Sequence, residues 1–130
     1  MNKTLMVALM LMTAAAWSQA GVERITEGGV WLDVEAHRPD NEPAVVVLHV
    51  PWQQDSVNLV QEIEDWASNY PDLTILLVDC VDPRTQVYRQ FNLREIPAII
   101  IVDRRGEQVG GPLTTVSDLE QTLSDNGLLR

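Results

Sequence analysis

The chain has 130 residues, 45% of them hydrophobic, a length that carries one domain around a single core. Lys3 is the one basic residue before position 21, so eight basic residues, all arginine, face all nineteen acidic ones beyond it, a net of -11. Such a field excludes nucleic acid and anionic membrane surfaces as partners, and because the carboxylates are scattered rather than blocked it reads as a solubilising surface.

In chain order, the first twenty residues read as a secretory signal peptide. Lys3 gives a positive start, Leu5 to Trp17 is almost unbroken apolar sequence, and Ser18-Gln19-Ala20 puts small residues where a signal peptidase reads. Cleavage after Ala20 and export, with a bacterial periplasm as destination, are expected. The run is short for a bilayer span, which needs about 20 apolar residues, and no later run is longer, so no membrane span is expected in the mature domain, residues 21–130.

Val22 to Thr26 is a candidate first strand, and Val30 to His37 a candidate helix with Val30, Trp31 and Val34 inward. Pro39 to Pro43 is a loop, since both prolines break regular structure. Ala44 to Val50 is short, β-branched and apolar on both faces, the pattern of a strand covered by helices on both sides. Asp55 or Ser56 is placed to cap a helix whose buried stripe is Leu59, Val60, Ile63, Trp66, Ala67 and Tyr70. Pro71-Asp72 ends it. Leu73 to Val78 is a second apolar strand, Arg84 to Phe91 a short helix, and Ala98 to Val102 a third apolar strand. Asp103-Arg104-Arg105-Gly106 turns a hairpin with Glu107 to Val109 returning, and Ser117 to Ser124 is a last helix with Val116, Leu119 and Leu123 inward. Apolar strands alternating with helices imply an α/β fold: a central mixed sheet, parallel pairs plus an antiparallel edge, with helices on both faces.

Four pieces of this order resemble the thioredoxin family. They are the strand ending in Val50-Pro51-Trp52, the helix opening at Asp55, the run from Asp82-Pro83 through Phe91-Asn92-Leu93-Arg94-Glu95-Ile96-Pro97, and the hairpin Asp103 to Glu107. The resemblance covers about residues 22 to 126 and implies a thioredoxin-like fold with Pro97 as a cis-proline beside Trp52. A cis bond at Pro97 would leave Ile96 offering backbone groups to an extended peptide, a form of strand addition. It also implies what is missing. The family's Trp-Cys-x-x-Cys falls on Trp52-Gln53-Gln54-Asp55-Ser56. Dithiol exchange needs a low-pKa thiolate and a second thiol to resolve the mixed disulfide, and neither an amide nor a hydroxyl does that work. The family's buried carboxylate falls on Val47, and its lysine partner has no counterpart in Leu73 to Val78.

The expected function is therefore a redox-inactive, thioredoxin-like periplasmic protein. It would bind a peptide or protein partner at the former active-site face, through Trp52, Gln53, Gln54, Asp55, Ser56, Ile96 and Pro97. For Gln53 to Ser56 the alternative is helix capping alone, and for Trp52 a core side chain. The rival function is a thiol-disulfide oxidoreductase or redox partner working through Cys80, the only cysteine; against that, a lone cysteine commonly packs as a small hydrophobe. His49 reads as a packed neutral imidazole. No phosphate loop, nucleophile triad or clustered Cys/His spacing is present, so no catalytic residue, cofactor or metal is expected.

Overall fold

A computed structural model describes residues 21–26, 31–80 and 86–129; the leader expected over residues 1–20 lies outside them. Four strands form one sheet: β1 (Val22–Ile25), β2 (Ala44–His49), β3 (Thr74–Asp79) and β4 (Ala98–Val102). Their order is β1-β3-β2-β4, with β3 parallel to both neighbours and β4 antiparallel to β2. Every residue of β2 and of β4 is buried. Such strands must be covered on both faces, which is why their sequences are continuously apolar.

Alternation along the strands divides the core in two. Val45 and Val47 of β2 join Ile75, Leu77, Ile99 and Ile101 beneath the helices α1 (Gln54–Ala67) and α3 (Val116–Asp125). Val46 and Leu48 join Leu76, Val78 and Ile100 on the opposite face, where the short helix α2 (Gln86–Gln90) adds Val87. Each fully buried Leu or Ile contributes about 1.5–3 kcal/mol. A one-residue slip of β2 would exchange the two faces, so the flanking layers hold its register. The expected mixed sheet with helices on both faces is the observed architecture.

α1 buries Leu59, Val60, Ile63 and Ala67 as its spacing predicts. It stops before Tyr70 because polar side chains take the last carbonyls: Ser68 Oγ donates to Asp65 O at 2.6 Å and Asn69 Nδ2 to Trp66 O at 3.3 Å. Tyr70 still packs on the core, its ring centroid 4.9 Å from that of Trp66. α3 begins at Val116, one residue before the expected start, because Thr115 Oγ1 accepts from the Asp118 amide at 3.1 Å.

Two expectations need correction. The helix over Val30–His37 does not form: Val30 lies outside the described residues, Trp31 is 62% exposed, and only Val34–Ala36 makes a 3-10 turn. The backbone there is already committed. The Leu32 amide donates to Gln90 Oε1 at 2.8 Å and its carbonyl accepts from Gln90 Nε2 at 2.7 Å, while the Trp31 amide donates to Gln86 Oε1. α2 therefore holds this segment as a neighbouring strand would, and Leu32 turns inward instead of Trp31. Glu107 to Val109 makes no strand but isolated bridges, Gln108 with Val102 and, further on, Leu113 with Ile99; Gly110 at φ +67° and Pro112 interrupt the ladder between them. The helix expected from Arg84 starts among the described residues at Gln86; Arg84 itself lies outside them.

Candidate functional site

β2 delivers the chain to the segment Val50–Gln53 at the end of the sheet, and α1 starts there with Gln53 as its N-cap residue, which makes no side-chain cap. Neither Asp55 nor Ser56 is the cap that the sequence predicts. Ser56 sits inside the first turn and is fully buried. Its Oγ accepts from the Val50 amide at 3.0 Å and donates to Gln53 Oε1 at 2.7 Å. The two residues that stand where a dithiol would be are thus joined by a hydrogen bond, and the same hydroxyl ties the strand end to the helix. Ser56 is consequently no part of an exposed recognition loop. Gln53, Gln54 and Asp55 are exposed, and Trp52 is 73% exposed. An indole held open to water forgoes the burial that a core tryptophan gains, so Trp52 is not a core side chain.

The Ile96-Pro97 bond is cis. Both residues are half-buried and face the first turns of α1 across a groove of about 370 Å³. α1 supplies Asp55, Leu59 and Glu62 to its walls, and the segment before β4 supplies Glu95, Ile96 and Pro97. A second cleft of about 300 Å³ shares the Glu95 and Thr114 walls and continues past Arg94 to Pro112. Of the residues singled out by sequence, Asp55, Ile96 and Pro97 are therefore brought to one groove. Trp52, Gln53 and Gln54 stand exposed at the entry to α1, and Ser56 lies beneath.

The groups that would move protons or electrons lie elsewhere or are gone. Val47 is completely buried, paired in register with Leu77 on one side and Ile99 on the other. Cys80 is completely buried in the other half of the core, with Leu48, Val87 and Phe91, and does not line the groove. Among the described residues no three His, Cys, Asp or Glu side chains gather to hold a metal ion.

One constellation escapes the sequence reading. His49 ends β2 and Asp79 ends β3, and the parallel register sets them side by side. His49 is buried, and its Nε2 lies 3.1 Å from Asp79 Oδ1 without the alignment of a hydrogen bond. They line a cleft of about 320 Å³ with Arg24, Gln61 and Glu64; Arg24 and Glu64 pair at 2.9 Å. The signal was available: both residues are the polar last members of adjacent apolar strands.

Burial pushes the His49 imidazole below its ordinary 6.5, against the pull of Asp79, which raises it. The unfolded chain then takes up this proton more readily than the folded one. The contribution is intact above 6.5 and is lost as pH falls through the folded value. Urea midpoints are expected to fall more between pH 7.5 and 5.5 in the wild type than in His49→Gln. Equal losses in the two would show that His49 is not the group responsible.

No protein-family model matches the chain, and no curated protein matches it. Solved structures do. Thioredoxin f from spinach chloroplast in its long form superposes with a TM-score of 0.63 at 18% identity, over 84% of this chain and 87% of that one. Thioredoxin f2 from Chlamydomonas reinhardtii gives 0.65 at 12%, over 85% and 100%. A complex of ferredoxin:thioredoxin reductase with thioredoxin f2 gives 0.66 at 16%, over 83% and 96%. These superpositions establish a thioredoxin-like fold, here built on a chain with a single cysteine.

Proposed function

We propose that this thioredoxin-like chain is a redox-inactive binding protein that holds a peptide or protein partner on the face where its relatives in fold would carry a dithiol. The observation that carries this reading is the pair Gln53–Ser56. A hydroxyl fixed by two hydrogen bonds, one from the Val50 amide and one to the Gln53 amide oxygen, has no route to sulfur exchange. What persists around it suits recognition: an exposed indole and a groove between α1 and the Ile96-Pro97 segment. Tryptophan side chains are among the residues that most often carry binding energy in interfaces. A similar solved thioredoxin f2 is found in complex with a protein, ferredoxin:thioredoxin reductase, which supports a protein partner for this face by analogy of fold alone.

Export belongs to the same proposal and rests on the composition of residues 1–20. No helix among the described residues is long and apolar enough to cross a membrane.

Affinity capture from native extract tests the site. Wild-type protein is expected to retain a partner, and Trp52→Ala to lose at least about tenfold of it, the effect of truncating an aromatic hot spot. Equal capture by both would remove Trp52 from the site. The rival chemistry through Cys80 needs an accessible thiolate, and its burial in the core opposes that. In native buffer Cys80 is expected to resist iodoacetamide and to react only once urea has unfolded the chain. Prompt native alkylation, or disulfide reduction that vanishes in Cys80→Ser, would overturn the proposal.

A further inference from the structure

The two helices of the α1/α3 layer carry only negative charge. α1 holds Asp55, Glu62, Glu64 and Asp65, α3 holds Asp118, Glu120 and Asp125, and neither contains an arginine, lysine or histidine. Among the described residues, Glu64 alone of these seven is in an ion pair, with Arg24 of β1. The arginines among the described residues sit elsewhere: Arg24 lies on β1, Arg38 is buried against Glu35, Arg89 lies on α2, Arg94 lies in the segment before β4, and Arg104 and Arg105 lie in the turn after β4. Charge is thus segregated by layer, although it looks scattered along the sequence.

The groove beside Pro97 opens along this layer. Its polar wall is made by the exposed carboxylates of Asp55, Glu62 and Glu95, none of which has a side-chain hydrogen bond or ion pair among the described residues, and its apolar wall by Leu59, Ile96 and Pro97. No cation lines it. The adjoining cleft lengthens it past Arg94 to Pro112, so the depression is elongated rather than round, with its carboxylates gathered at the Pro97 end and a cation further along. Carboxylates placed together without counter-charges repel one another, and a positive ligand relieves that repulsion on binding.

We infer that the occupant of this groove is an extended, cationic polypeptide segment, with lysine or arginine side chains against Asp55, Glu62 and Glu95 and its aliphatic stems on Leu59 and Pro97. The inference rests on the binding function proposed above and gives it a partner chemistry. A long basic side chain satisfies both walls at once, because its methylenes cover apolar surface while its head reaches the carboxylates. The acidic layer beside the groove also steers such a segment in, so association is fastest at low ionic strength. An acidic or phosphorylated segment would meet a wall of like charge.

Fluorescence anisotropy with three labelled, unstructured peptides of equal length tests this, their alternate positions being lysine, glutamine or glutamate. The lysine peptide is expected to bind at least about tenfold more tightly than the glutamine peptide and the glutamate peptide not at all, with binding of the lysine peptide weakening by about tenfold between 50 and 200 mM salt. The triple variant Asp55→Asn, Glu62→Gln, Glu95→Gln should lose most of that preference. Asp118→Asn, Glu120→Gln, Asp125→Asn on α3 should keep it, and circular dichroism confirms that both variants are folded. Glutamine and lysine peptides binding alike, both weakened by Trp52→Ala, would overturn the cationic partner while leaving the binding face intact. Equal losses in the two triple variants would show a diffuse acidic surface in place of a seat. If no peptide binds, and Trp52→Ala changes nothing in capture from extract, the binding function itself falls.

Discussion

Replacing Gln53 and Ser56 together by cysteine is expected to produce an intramolecular disulfide and, with it, a disulfide-reducing activity, which the proposed function denies to the wild type. The two side chains already meet, Ser56 Oγ to Gln53 Oε1 at 2.7 Å. They stand at the N-cap and third positions of α1, where the helix dipole stabilises a thiolate. With oxidised glutathione as acceptor, two thiols give up two protons and two electrons and close one S–S bond. Mass spectrometry should then find two hydrogens fewer than in the reduced double variant, with Cys80 still alkylated only after unfolding. Reduction of a protein disulfide by dithiothreitol should become catalysed. The rate should still fall short of a complete dithiol enzyme by about a hundredfold, the worth of a positioned proton acceptor, because Val47 offers none and Asp55 beside the thiol raises its pKa. A variant that stays reduced under oxidising conditions would mean that α1 does not present these two positions as a dithiol pair. The account of a retained frame with replaced atoms would then fail.

The sheet was legible because its signal is dense. β2, β3 and β4 are runs of β-branched and aliphatic residues of the right length, bounded by polar or proline punctuation, and α1 repeats its apolar residues at helical spacing. Pro97 was legible only through its place in a longer pattern. What escaped was set by partners distant in sequence. Leu32 and Trp31 look like helix residues until Gln86 and Gln90, more than fifty positions on, take their backbone groups. Ser56 looks like a cap until the Val50 amide is found to need its hydroxyl. The His49–Asp79 neighbours required the register of two parallel strands, and the uniform sign of the α1/α3 layer required knowing that those two helices share one face. The groove was half legible: Asp55, Ile96 and Pro97 were singled out, whereas Glu62 and Glu95 were passed over as ordinary surface charge.

Val47→Asp is expected to be the most damaging single change in the chain, although it returns the residue type that the thioredoxin pattern places there. Val47 sits at full burial among Leu77, Ile99 and the other apolar residues beneath α1 and α3. Neither register neighbour offers a hydrogen bond or a positive charge. A carboxylate there is desolvated without compensation, which costs about 3–5 kcal/mol, out of about 5–15 kcal/mol that holds a domain of this kind together. Val47→Ala, which leaves only a small cavity, should cost about 2 kcal/mol; urea denaturation of both variants at pH 7 separates the two effects. The pH dependence that Val47→Asp introduces also differs in sign from that of the wild type and of Val47→Ala. Burial raises the carboxyl pKa of the new aspartate in the folded state above its unfolded value, so the loss is greatest above the folded value and shrinks as pH falls towards the unfolded one. The His49 contribution to the wild type is, by contrast, lost as pH falls below 6.5. If Val47→Asp were as stable as Val47→Ala at neutral pH, a polar partner would have to reach this position. The core would then still be built to hold a proton-transferring acid. The expected collapse implies the opposite: the interior is packed around a side chain that cannot ionise, so restoring the sulfurs alone recovers exchange only at the reduced rate, and the missing proton acceptor cannot simply be put back at this position.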